Sequence, residues 1–76
     1  MRLAEALEQL HTARRFVTQG EKDLWFQRKV VAGLEQRGRN PLKAIELLER
    51  IEEMQDEYLA HQDRVSRQVM QLLKDD

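Results

Sequence analysis

The chain has 76 residues, of which 36% are charged and 5% aromatic, and its net charge is −1. This length allows one small domain at most, and the absence of cysteine excludes disulfides and thiolate metal sites. A composition with many charges, few aromatics and a single proline is typical of long, solvated helices.

The first half of the chain carries an apolar repeat of seven residues. One series of positions consists of Leu3, Leu10, Val17, Leu24 and Val31, and the second consists of Ala6, Ala13, Gly20, Gln27 and Leu34. Such series occupy the a and d positions of heptads, which form the contact seam of a helix. The repeat predicts a helix over residues 2–37.

One point in this helix is ambiguous. Thr18 followed by Glu21 is typical of a capping box, and Gly20 between them is a common helix breaker. Val17 and Leu24 nevertheless stay seven residues apart across Gly20, so the heptad phase is kept. We therefore predict a continuous helix in which Gly20 is a packing position, with a kink or break at Gly20 as the alternative.

The segment "RGRNP", Arg37–Pro41, predicts a tight turn. Gly38 is suited to the left-handed residue that follows a helix end. Asn40 is a good N-cap, and Pro41 is favoured at the first helical position. The segment therefore predicts that one helix ends and another begins within five residues.

The last part of the chain again has helical period and predicts a helix over residues 41–74. Its seam positions are Leu48, Gln55, Gln62 and Val69 in one series and Ala44, Ile51, Tyr58, Val65 and Leu72 in the other. Two long helices joined by a short turn fold into an antiparallel hairpin, here a single all-α domain over residues 1–76. Pairing that is symmetric about the turn places Gly20 opposite Tyr58 and Leu59.

Three glutamines, Gln27, Gln55 and Gln62, stand at seam positions. Buried amides that are hydrogen-bonded can define the register of paired helices. A seam that is wet or peripheral near the middle of the hairpin is the alternative interpretation.

The apolar surface of the first helix is wider than one neighbouring helix can cover, which indicates further neighbours. We predict that two hairpins dimerise into a four-helix bundle, with a different protein as the alternative partner. The predicted function is a non-catalytic module for protein–protein interaction or oligomerisation. The predicted association surface consists of Phe16, Trp25, Phe26, Val30, Leu47 and Met54.

No motif for catalysis or for cofactor binding is present in the sequence. In the symmetric register His11 and His61 lie at different levels, far from each other. Glu57 and His61 share a helix face, but such pairs usually support the helix, and runs of acids are usually solvated. We predict no enzyme activity, no cofactor and no metal.

A basic cluster at the turn, Arg37, Arg39 and Lys43, is a candidate site for anions or nucleic acid. A small nucleic-acid-associated regulator is therefore the alternative function. The cluster is small and acids lie near it, so we do not expect nucleic-acid binding. No apolar run has the length of a membrane span, and we expect a cytoplasmic protein without membrane contact.

The run from Gly20 to Arg64 resembles a group of small helical proteins from alphaproteobacteria, frequent in rhizobia. The residues that carry the resemblance are Gly20, Glu21, Leu24, Gln27, Arg28, Val30, Val31, Leu34, Glu35 and Gly38, then Ala44, Leu47, Leu48, Glu52, Glu53, His61, Asp63 and Arg64. The chain departs from that pattern at Asn40–Pro41 and at Trp25 and Phe26. The resemblance implies a bacterial, cytoplasmic, helical protein, and it implies no activity.

Overall fold

The computed structural model describes residues 2–75, which form two helices packed against each other. Helix α1 spans Leu3–Gln36 and helix α2 spans Leu42–Lys74. Each helix begins and ends within one residue of its predicted bounds. No strand occurs among residues 2–75. The result is a hairpin 60 Å long and about 14 Å across, which confirms the predicted helical hairpin.

Helix α1 runs through Gly20 without a break, as the heptad phase predicts. The hydroxyl of Thr18 donates a hydrogen bond of 3.0 Å to the carbonyl of Arg14, one turn earlier in the same helix. Thr18 is therefore an ordinary helical residue and caps no new helix.

Helix α1 ends in a Schellman motif built on Gly38, which has a φ of +68°. The N–H of Arg39 donates to the carbonyl of Leu34 at 2.9 Å, and that of Gly38 donates to Glu35 at 3.1 Å. These two bonds satisfy carbonyls that the helix end leaves without partners. The chain therefore reverses at Gly38.

Helix α2 begins one residue later than predicted. Pro41 stands in the N-cap position, where its carbonyl accepts a hydrogen bond from the N–H of Ile45 at 2.9 Å. Asn40 still acts as a cap, since its side-chain oxygen accepts from the N–H of Leu42 at 3.0 Å.

Every buried residue among residues 2–75 lies at a predicted seam position. The buried residues are Ala6, Leu10, Ala13, Val17, Gly20 and Gln27 on α1 and Gln55, Val65 and Val69 on α2. The buried apolar side chains belong to the half of the hairpin near the termini. Towards the turn, seam residues such as Leu24, Leu48 and Ile51 are only half-buried.

The predicted register is wrong by about one helical turn. Gly20 lies against Gln55 rather than against Tyr58 and Leu59, and Tyr58 stacks instead on Phe16. The prediction placed the reversal at the middle of the turn segment. Because the chain reverses at Gly38, before the middle of the turn segment, α2 pairs with α1 about one turn further along than predicted.

Candidate interaction surface

Two rows of apolar side chains flank the seam on one side of the hairpin. They are Phe16, Phe26 and Val30 on α1 and Leu47, Met54 and Tyr58 on α2. Spacings built from three, four and seven residues keep each row on one helix face. The rings of Phe16 and Tyr58 stack with centroids 5.3 Å apart, so both rows belong to the same face. We call these six residues the apolar strip.

The apolar strip is open to solvent. Phe26 is 63% exposed, Phe16 is 50% exposed, and Leu47 and Met54 are each 48% exposed, while Val30 and Tyr58 are half-buried. An apolar face of this extent, with no neighbour inside the chain, is typical of an interaction site.

Five of the six residues predicted for the association surface lie in the apolar strip, and Trp25 does not. Trp25 follows Phe16 by nine residues, which turns its side chain to the opposite flank of α1. The ammonium group of Lys29 lies 5.4 Å from the centre of the indole ring, within the range of a cation–π interaction. Trp25 is as exposed as Phe26, but it has a partner in its own helix.

Two of the three seam glutamines are buried and hydrogen-bonded across the helices. Nε2 of Gln55 donates to the carbonyl of Val17, and Nε2 of Gln27 donates to the carbonyl of Ala44, both at 2.9 Å. These bonds support the interpretation that the amides define the register. Gln62 is half-buried, which fits the alternative interpretation of a peripheral seam at that position.

Two opposite charges lie near the middle of the apolar strip, and a third charge, Glu57, lies further along the same face of α2, three residues after Met54. Asp23 is seven residues from both Phe16 and Val30, and Arg50 is three residues after Leu47 and four before Met54, so both share the face of the strip. Asp23 accepts a hydrogen bond of 3.0 Å from Nε2 of Gln19. Among residues 2–75 neither charge takes part in an ion pair, the one ion pair there being Asp63 with Arg67.

The prediction that the two histidines lie far apart is wrong. His11 and His61 border the same surface depression, together with Glu5 and Glu8, because the register is shifted by one turn. Glu8 and His11 also have the Glu-x-x-His spacing of some metal-binding bundles. No group of three residues that could hold a metal ion is found within residues 2–75.

The basic residues of the turn, Arg37, Arg39 and Lys43, are all exposed at one end of the hairpin. A guanidinium nitrogen of Arg37 lies over Gly33, so this side chain folds back along α1. The structure thus places the three residues at one end, as predicted, but it turns one of them away from the tip.

Sequence reasoning missed some exposed apolar side chains and the role of one aromatic residue. Leu42 and Met70 are each 57% exposed. Neither residue belongs to a heptad series, so the apolar repeat does not identify it. Tyr58, predicted for the seam, is half-buried, and the shifted register also brings its ring onto Phe16 at the edge of the apolar strip.

Comparison with models of protein families, with curated proteins and with solved structures gives no match for this chain. The family resemblance therefore stays a prediction from the sequence. Neither α1 nor α2, the helices of the described residues, combines the length and apolarity that a membrane crossing requires.

Proposed function

We propose that this chain is a non-catalytic interaction module that associates with a second copy of itself through the apolar strip. The observation that carries the proposal is the exposure of Phe16, Phe26, Leu47 and Met54 on one face. In the part of the chain that the structure describes, the buried apolar core consists of alanine, valine and one leucine, all in the half of the hairpin near the termini. Small domains with so little core usually need a partner or a staple.

The area of the apolar strip fits an interface of ordinary size. If a large apolar side chain has roughly 200 Å² of surface, the four most exposed members together offer roughly 400 Å². A specific interface buries about 800 Å² on each partner, of which about 60% is apolar. The strip with its polar border therefore approaches the area that a stable dimer needs.

A second copy is the simplest occupant of this face. Two hairpins that meet through one flat face form a four-helix bundle with two-fold symmetry, in which the same patch is used by both subunits. The half-buried seam residue Ile51, four residues after Leu47 and three before Met54, then becomes part of a common core. For a bundle with this aliphatic core we propose a structural or adaptor role rather than a chemical one.

The test compares Phe16 with Trp25, which lie on opposite sides of α1. Phe16 stacks on Tyr58 in the apolar strip, whereas Trp25, nine residues later, points away from Phe16 and borders a different surface depression. We expect the unmodified chain to have twice the mass of one chain in light scattering at micromolar concentration. Phe16→Gln together with Met54→Gln should give a monomer, whereas Trp25→Gln should leave the dimer intact.

Other outcomes contradict the proposal. A monomeric mass of the unmodified chain would exclude self-association and leave a different protein as the partner of the strip. Loss of the dimer in Trp25→Gln, with the strip variant still dimeric, would move the interface to the other flank. Salt-sensitive retention of DNA or RNA that is abolished by Arg39→Gln with Lys43→Gln would favour the nucleic-acid alternative.

A further inference from the structure

Asp23 and Arg50 lie at nearly the same level of the hairpin. Gly20 contacts Gln55, and Asp23 is three residues further along α1 while Arg50 is five residues back along α2. At a rise of about 1.5 Å per residue, the two levels differ by about 3 Å. Because Asp23 is midway between Phe16 and Val30, both charges lie at the centre of the apolar strip.

A two-fold dimer that packs strip against strip has two arrangements. If the axis is perpendicular to the hairpin, the turns point in opposite directions and α1 packs on the partner's α1. At the centre of the strip Asp23 then meets the partner's Asp23, and Arg50 meets the partner's Arg50. Like charges placed directly opposite each other destabilise an interface.

If the axis is parallel to the hairpin, both turns lie at the same end and α1 packs on the partner's α2. Because Asp23 and Arg50 share a level on neighbouring helices, each then faces its opposite charge, and symmetry forms the pair twice. Phe16 and Tyr58 of one copy likewise face the partner's Tyr58 and Phe16. The strip is self-complementary in this arrangement alone.

From this charge placement we propose that the two copies align with both turns at the same end and with Asp23 paired to the partner's Arg50. This inference rests on the proposed self-association, and it adds the orientation of the second copy relative to the first. It makes each interface incomplete without the partner's arginine, which supplies the charge that Asp23 lacks in its own chain.

The direction can be measured because the chain has no cysteine of its own. Arg39→Cys, at the turn, is labelled with pyrene, whose excimer emission requires two rings in contact. We expect excimer emission from the dimer, since the turns are adjacent in the proposed arrangement. In the opposite arrangement, with Asp23 at the axis, each label lies about 15 residues from the axis, which separates the two labels by roughly 40–50 Å.

A second labelling experiment tests for the opposite arrangement of the two hairpins directly. Arg39→Cys carries a donor dye, Gln71→Cys near the other end carries an acceptor, and the two chains are mixed. The proposed arrangement predicts weak energy transfer, whereas opposed hairpins predict strong transfer. A dimeric mass with strong transfer and no excimer would overturn the direction while leaving self-association in place. A monomeric mass would overturn both.

The pairing of Asp23 with the partner's Arg50 can be tested separately, through the dissociation constant of the dimer. Asp23→Asn should weaken the dimer, and Asp23→Arg should raise its dissociation constant by about tenfold or more, since two pairs are lost and two repulsions are created. Opposed hairpins predict instead that Asp23→Asn strengthens the dimer, because it relieves a repulsion. Arg14→Gln, which removes an exposed charge on the side of α1 away from Phe16, is the control.

Discussion

The side-chain amide of Gln55 fills the space that a side chain at Gly20 would occupy. A Cβ atom built on Gly20 would collide with Oε1 of Gln55 and lie 2.6 Å from its Cδ. Gln55 is held there by the bond from its Nε2 to the carbonyl of Val17. The glycine on one helix and the amide on the other therefore form a matched pair that sets the helix register.

We expect Gly20→Ala to destabilise the protein by about 1 kcal/mol. Alanine gains about 1 kcal/mol of helix propensity, but displacing the buried amide costs about 1–3 kcal/mol through overpacking and the strained or lost hydrogen bond. In a Gln55→Ala background the same change should be stabilising. Urea unfolding of the four chains gives the coupling, and a coupling energy near zero would contradict the matched pair.

Gly33→Ala is the control, and it should stabilise the protein by about 0.5–1 kcal/mol. A Cβ atom on Gly33 would meet a nitrogen of Arg37 at 3.2 Å. That group is the end of a flexible, exposed side chain, which can move without losing a buried contact. If Gly33→Ala is as destabilising as Gly20→Ala, the effect at Gly20 comes from the helix and not from Gln55.

The helices could be predicted from the sequence because their signals are local. The seven-residue spacing of Val17 and Leu24 across Gly20 was enough to predict a continuous helix, and Gly38 was correctly placed after its end. Both features depend on the backbone and on neighbouring residues alone. The Asn40 cap is local in the same sense.

The register could not be predicted, because it depends on where within the turn the chain reverses. The bond from Arg39 to Leu34 brings the reversal forward to Gly38, and no residue pattern in the helices encodes that displacement. The candidate surface was predicted more fully than the register. Phe16, Phe26 and Met54 follow from spacing along their own helices, whereas the contribution of Tyr58 required the contact between helices.

Gly38→Ala should destabilise the protein by about 1–2 kcal/mol, because its φ of +68° lies in the left-handed region. No atom lies within 4 Å of a Cβ at this position, so the cost is conformational rather than steric. Gly38→Asn should cost less, since asparagine tolerates this conformation. Thermal unfolding checks the order Gly, Asn, Ala; equal midpoints for all three would contradict it.

Two seam glutamines should respond differently to replacement by leucine. Gln62 is half-buried, and Gln62→Leu should raise the free energy of unfolding by about 1 kcal/mol through apolar burial. Gln27→Leu gains similar burial but loses the bond to the carbonyl of Ala44, worth about 1 kcal/mol, so it should be nearly neutral. Denaturant titration at one protein concentration compares them, and equal gains at both sites would show that the Gln27 bond contributes nothing.

The dependence of thermal stability on protein concentration links the apolar strip to the stability of the fold. A ligand or partner that binds only the folded state raises the melting temperature by mass action, and in a dimer the partner is the chain itself. A tenfold rise in concentration is worth about 1.4 kcal/mol, which for a dimer of this size corresponds to about 3–6 °C. We therefore expect the midpoint, followed by circular dichroism between about 1 and about 100 micromolar, to rise by that amount per decade. Phe16→Gln with Met54→Gln should lower the midpoint and remove its slope with concentration, whereas Trp25→Gln should keep the slope. An unmodified chain whose midpoint is constant over the same range would mean that its small aliphatic core is sufficient without a partner.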